Sequence, residues 1–126
     1  MKKILVVEDY EDTLAMMRIF LKMNGYQVLE ATNGKDAIET ASRELPDLIL
    51  MDISLPLVNG IETTRILKAI AETKHIPVLV ITVRSNNPSM CNQAIEAGAI
   101  ECFGKPVDLE LLTNAVKKYT EGEVSG

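Results

Sequence analysis

The chain has 126 residues, 47% of them hydrophobic and 25% charged, with a formal net charge of −5 at pH 7. That length suits one domain with its own core, and the balance excludes a disordered chain. Net negative charge argues against direct binding of duplex DNA, which relies on Lys and Arg against phosphates. No apolar run approaches the roughly 18 residues of a membrane span.

The N-terminal Met1-Lys2-Lys3 is basic and leads into Ile4-Leu5-Val6-Val7, but that run ends at Glu8-Asp9. It is too short for the apolar stretch of a signal peptide, so a cytoplasmic protein is expected. The rest alternates strand and helix. After a strand at about 3–8, Leu14, Met17, Phe20 and Leu21 recur at helical spacing over about 11–24, and Gly25 stops the helix. A second strand at about 27–31 precedes Asn33-Gly34 and a helix carrying Ala37, Ile38 and Ala41. Pro46-Asp47 leads into a strand at about 48–52; Pro56 and Gly60 mark a loop before a helix at about 60–72. His75-Ile76-Pro77 introduces a strand at about 78–82, and a polar loop from Arg84 to Pro88 precedes a helix ending at Gly98. The fifth strand spans about 100–104 and the last helix about 107–119, so the domain is placed at 1–120 with a polar tail at 121–126.

Strands that are continuously apolar are buried on both faces, which is the condition of a parallel sheet covered by crossover helices. Such crossovers are right-handed, and ligands of open parallel sheets sit outside the carboxyl ends of the strands. Glu8 and Asp9 close the first strand, Asp52 the third and Thr82 the fourth, while Lys105 follows the fifth. The topology therefore gathers three carboxylates, a hydroxyl and an ammonium at one edge. Two like charges about 4 Å apart cost about 4 kcal/mol at an effective dielectric near 20. A divalent cation removes that repulsion, and an all-oxygen donor set favours Mg²⁺, Mn²⁺ or Ca²⁺. Asp52 is the candidate nucleophile toward phosphorus, with Lys105 as a point charge and Thr82 as a donor on the phosphoryl oxygens. Taken singly, acidic strand ends solvate loops and lysines sit in solvent; only the convergence points to a metal-and-phosphate site.

The segments Ile4–Asp9, Asp47–Asp52, Leu55–Gly60, Pro77–Thr82, Ala97–Ala99 and Lys105-Pro106 together resemble the receiver domain of two-component response regulators, from Lys3 to about Tyr119. The resemblance implies a flavodoxin-like (βα)5 fold, α/β, with a five-stranded parallel sheet of order 2-1-3-4-5. It implies a chemotaxis-type single-domain receiver in phosphorelay signalling, in which Asp52 accepts a phosphoryl group from a sensor histidine kinase or histidine phosphotransferase. Mg²⁺ would be bound by Asp9, Asp52 and the backbone carbonyl of Ser54, with Glu8 acting through water. Thr82 and Lys105 would hold the phosphoryl group, and the Lys105–Pro106 bond would be cis. The protein would act through contacts with a downstream effector, as a monomer or a weak phosphorylation-dependent dimer, with no catalysis beyond its own phosphorylation and dephosphorylation.

The chain departs from the family pattern in several places. The switch aromatic, three residues before the lysine, is Cys102 here, and Phe103 lies on the alternate face of the strand unless a bulge shifts it. Val83 replaces the usual small residue after Thr82, and Ser54 and Arg84 occupy positions that tune phosphoryl lifetime; Arg84 either reaches the phosphoryl group or sits in solvent, the latter slightly favoured. Cys91 and Cys102 lack a C-x-x-C motif or further ligands for zinc, and a disulfide is not expected in a reducing compartment, so both are read as free thiols. No basic neighbour in sequence lowers the pKa of Cys102, which argues against redox sensing. His75 stands at a strand entry, away from Asp52, as a surface or packing residue. Met16, Met17, Met23, Met51 and Met90 are assigned to packing.

Other readings fit less well. A haloacid dehalogenase-type phosphohydrolase needs a second aspartate two residues after the nucleophile, where Ser54 stands. A nucleotide or flavin module of this topology needs a Gly-rich loop after the first strand, where Glu8-Asp9-Tyr10-Glu11 lies. A receiver cut from a larger regulator or hybrid kinase would have the same sequence pattern.

Overall fold

The computed structural model describes residues 1–53, 59–82 and 88–121. Ten elements alternate among these residues: β1 (Lys3–Val7), α1 (Glu11–Met23), β2 (Gln27–Ala31), α2 (Gly34–Glu44), β3 (Leu48–Asp52), α3 (Gly60–Ala69), β4 (Val78–Thr82), α4 (Pro88–Ala97), β5 (Glu101–Gly104) and α5 (Leu109–Glu121). All strand pairs are parallel, in the order β2-β1-β3-β4-β5. The fold is the flavodoxin-like one expected from the sequence. Boundaries shift by a few residues: α3 stops at Ala69, and α5 continues to Glu121, into the segment read as tail.

Strand alternation divides the core into two layers. Leu5, Val7, Ile49, Met51, Val78 and Val80 pack with Ala37 and Ala41 of α2, Ile61 and Leu67 of α3, and Ala94 and Ala97 of α4. Ile4, Val6, Leu48, Leu50, Leu79 and Ile81 pack with Leu14, Met17 and Leu21 of α1 and Leu112, Ala115 and Val116 of α5. Helices therefore cover both faces, which is why β3 and β4 are buried along their whole length. Between β1 and β3 the chain reverses its direction of travel across the sheet, so a crevice opens at their carboxyl ends.

Local sequence fixes the helix starts around that crevice. Asn33 and Asn59 accept hydrogen bonds from the backbone N–H groups of Asp36 and Glu62, at 2.8 and 2.9 Å. Asp108 accepts from Glu110 and Leu111 at the start of α5. Each side chain satisfies an amide that the helix leaves without an internal partner. Gly60 has a further role. A Cβ there would lie 2.2 Å from the Asp52 carbonyl oxygen, so only glycine lets α3 begin against the end of β3. Its N–H donates to the Ile53 carbonyl at 2.8 Å, fixing the chain just beyond Asp52.

The methionines divide between the interior and the surface. Met17 and Met51 are core residues and Met90 packs at the edge of the core, but Met16 and Met23 are 44% and 79% exposed. Packing therefore does not account for those two, which lie with Ile19 and Phe20 on the outer side of α1. His75 is exposed.

Candidate functional site

Glu8 leaves the end of β1 with its N–H donating to the Ala31 carbonyl of β2 at 3.0 Å, and its carboxylate accepts from the Tyr10 N–H at 3.1 Å. These bonds turn the side chain back over the crevice. The Ile53 N–H donates to the Ile81 carbonyl, so β3 and β4 remain paired one residue past Asp52. Thr82 is opposite Gly104, and its carbonyl accepts from the Lys105 N–H at 2.7 Å. That contact brings the residue after β5 alongside the end of β4, and Lys105 reaches across to the acidic residues.

The Lys105 Nζ donates to Glu8 Oε1 at 3.3 Å and to Asp52 Oδ2 at 3.4 Å. One oxygen each from Glu8, Asp9 and Asp52 lies within 4.8 Å of the others. Glu8 and Asp52 are 2% and 5% exposed, whereas Asp9 faces solvent. Burial, reinforced by the Asp52 charge, raises the pKa of Glu8; the Tyr10 N–H and Lys105 oppose that shift. Three carboxylates against one ammonium leave surplus negative charge in a partly dehydrated crevice. A cation of small radius with oxygen ligands fits that charge and donor set. The Lys105–Pro106 peptide is cis. Thr82 is 4% exposed and continues the parity of Val78 and Val80, toward the α2–α3–α4 layer. Ser54, Val83 and Arg84 lie outside the described residues.

One feature departs from the sequence reading and one agrees with it. Cys91 and Cys102 are not free thiols: they form a disulfide, with an S–S distance of 1.99 Å and Cα atoms 5.7 Å apart. The physical reason is the packing of α4 against the sheet beside β5, which brings together cysteines 11 positions apart in the chain. Helix and strand periodicity do not report that approach. Phe103, for its part, has no bulge to redirect it. β5 pairs in unbroken register with β4, and Phe103 packs in the α1–α5 layer while Cys102 packs in the opposite one.

A shallow apolar groove was also missed. Ala15, Met16, Ile19, Phe20 and Met23 of α1 line it together with Leu109. A second depression, lined by Thr13, Met16, Lys105, Pro106, Val107 and Leu109, connects this face to the lysine of the site. The signal in the sequence was an α1 apolar pattern too wide for a single buried stripe.

Comparison with known proteins agrees with this architecture. Residues 4–117 match the response regulator receiver domain family. The polar-differentiation response regulator DivK of Brucella anthropi is 34% identical over 119 residues, covering 94% of this chain and 95% of DivK. Protein PilH of Pseudomonas aeruginosa is 36% identical over 122 residues, covering 97% of this chain and all of PilH. The receiver domain of the sensor histidine kinase PA1611 from Pseudomonas aeruginosa, solved with a magnesium ion coordinated in its active-site cleft, superimposes with a TM-score of 0.87. It is 26% identical, over 94% of this chain and 97% of that domain. The chain belongs to the response regulator receiver domain family and is a receiver of two-component signalling.

Proposed function

We propose that Asp52 is the phosphoryl acceptor of a cytoplasmic phosphorelay and that this receiver, at residues 1–120, signals through protein contacts. The observation that carries the reading is the convergence of Glu8, Asp9, Asp52 and Lys105 at the β1/β3 switch point. A carboxylate oxygen of Asp52 attacks the phosphorus of a phosphohistidine, a P–O bond forms, and the P–N bond to the departing imidazole breaks. Lys105 compensates charge on the phosphoryl oxygens, and the Thr82 hydroxyl donates to one of them. Water attack on the same phosphorus later restores the carboxylate and releases phosphate. Asp9 and Asp52, with Glu8 and the Ser54 carbonyl, would hold Mg²⁺, which supplies charge neutralisation for the transfer. The domain supplies positioning and charge, and no other catalysis is assigned to it.

The donor is a sensor histidine kinase or a histidine phosphotransferase. Support comes from the α1 groove, whose apolar wall runs from Met23 to Met16 and continues to Lys105 and Pro106. A protein seated there would cover apolar surface while presenting its phosphohistidine to the crevice. A downstream protein effector, not nucleic acid, reads the phosphorylated state. Intact mass after treatment with acetyl phosphate and Mg²⁺ tests the reading. The parent protein should gain one phosphoryl group, and Asp52→Asn should gain none. Equal modification of both proteins would remove Asp52 as the acceptor.

A further inference from the structure

We infer that Cys91 and Cys102 form a reversible redox site, whose disulfide fastens α4 to β5 and whose reduction releases the helix. The bond uses both cysteines of the chain. Its Cα separation of 5.7 Å lies within the span that a disulfide bridges without moving the backbone. Both residues are half-buried, so a small thiol can approach.

The weak apolar anchoring of α4 makes this bond consequential. In the described part of α4 only Ala94 and Ala97 are fully buried, while α1 buries Leu14, Met17 and Leu21. Two alanine side chains remove little apolar area from water, so α4 is held more loosely than α1 by burial alone. The covalent link adds what that burial lacks. It also sits near the site: Cys102 is opposite Val80, and Thr82 and Gly104 pair two residues further along the same two strands. Lys105 follows directly. Any influence of the bond on signalling rests on the phosphoryl-acceptor reading above, and the expectation of reversibility on its cytoplasmic placement; the geometry of the bond rests on neither. In a reducing compartment a disulfide is typically transient or regulatory, which makes reversibility the expected behaviour.

The oxidant is a low-molecular-weight disulfide such as oxidised glutathione. One cysteine loses its proton, and its thiolate attacks a glutathione sulfur, forming a mixed disulfide and expelling a glutathione thiolate. The second cysteine, likewise deprotonated, attacks the protein sulfur of that mixed disulfide and expels the second glutathione. The two released thiolates take up the two protons. Two protein thiols are oxidised and one glutathione disulfide is reduced to two thiols.

The test equilibrates the full chain in glutathione buffers of graded ratio, quenches with acid, alkylates with N-ethylmaleimide and reads the intact mass. A single transition is expected between protein carrying two alkyl groups and protein carrying none. Cys91→Ser and Cys102→Ser should each retain one alkylated thiol apart from any glutathione adduct. Hydrogen exchange on the two forms should show α4 amides about tenfold or more faster after reduction, exchanging while β1 and β3 are still protected in both forms. The double serine variant should match the reduced form under both conditions. Protein bonded at every ratio, protein alkylated twice at every ratio, or equal α4 exchange in the two forms would each overturn the inference. None of these readouts involves Asp52, so a failure of phosphorylation would leave them standing.

Discussion

The carboxylate cluster and the cysteine bridge are both assembled at one side of the sheet from residues distant in sequence, but by different rules. Glu8, Asp9 and Asp52 stand where strands end, so strand periodicity and parallel topology are enough to bring them together. Cys91 stands on a helix and Cys102 in the middle of a four-residue strand. Their meeting depends on how α4 is seated on the sheet. The energetic signs differ as well. The carboxylates repel one another and oppose the fold, while the disulfide restrains the unfolded chain and favours it. The candidate site lies where like charges oppose the fold, and a covalent link reinforces a helix whose described part buries only Ala94 and Ala97.

The largest effect should come from the charge that the crevice already contains. Lys105→Met is expected to slow phosphorylation of Asp52 by acetyl phosphate by on the order of a hundredfold or more, the scale of losing a preorganised electrostatic donor. Time courses of intact mass measure it, and an unchanged rate would mean that Lys105 neutralises Glu8 and Asp52 without helping transfer.

Reducing the disulfide should be the next largest perturbation. The bridged cysteines are 11 positions apart, and closing a loop of that size is worth about 3 kcal/mol or slightly less in the chain-entropy model. Calorimetry with and without a phosphine reductant should show Tm lower by roughly 10 °C in the reduced protein. If reductant leaves Tm unchanged, the bridge does not support the fold and the contrast between the two sites fails on that side.

Mg²⁺ should act in the opposite sense at the acidic end. At about ten times its Kd, a ligand confined to the folded state adds about 1.4 kcal/mol. A rise in Tm of a few degrees at saturating Mg²⁺ is expected in the parent, with most of it lost in Asp9→Ala. Equal shifts in both proteins would move the metal elsewhere.

The smallest effect separates repulsion from packing. Glu8 has its pKa raised by folding, chiefly through burial and then through Asp52. Between the ordinary value of 4.5 and the raised one, the folded state holds more protons than the unfolded state. Stability therefore falls as pH rises through that window, and the full penalty remains above it. In chelator, Glu8→Gln should be more stable than the parent at neutral pH by about 1 kcal/mol, and the advantage should vanish below the ordinary Glu value. Urea midpoints at several pH values measure this; a pH-independent difference would assign the change to packing instead.

Most of the candidate site was legible in the sequence because each of its strands announces its own end. Val7 to Glu8, Met51 to Asp52 and Ile81 to Thr82 are steps from apolar to polar, and the covered parallel sheet follows from the continuous apolar runs. Alternation also placed Phe103 correctly on the face opposite Cys102. The cysteine pairing was illegible for a physical reason. A rule about reducing compartments weighs bonds by location, whereas the bond depends on a Cα separation that helix periodicity does not encode. The outer face of α1 was misread because Met16, Ile19, Phe20 and Met23 overlap in sequence with the buried Leu14, Met17 and Leu21. Only the seating of the helix separates the two stripes.

The central claim concerns one atom pair, the Asp52 carboxylate oxygen and phosphorus. Hydride reduction of the protein after acetyl phosphate and Mg²⁺ treatment converts an aspartyl phosphate to homoserine, which peptide mass spectrometry can locate. Homoserine at position 52, absent when Mg²⁺ is chelated, is the predicted result. Phosphorylated protein with no homoserine at position 52, or homoserine at another position, would contradict the account.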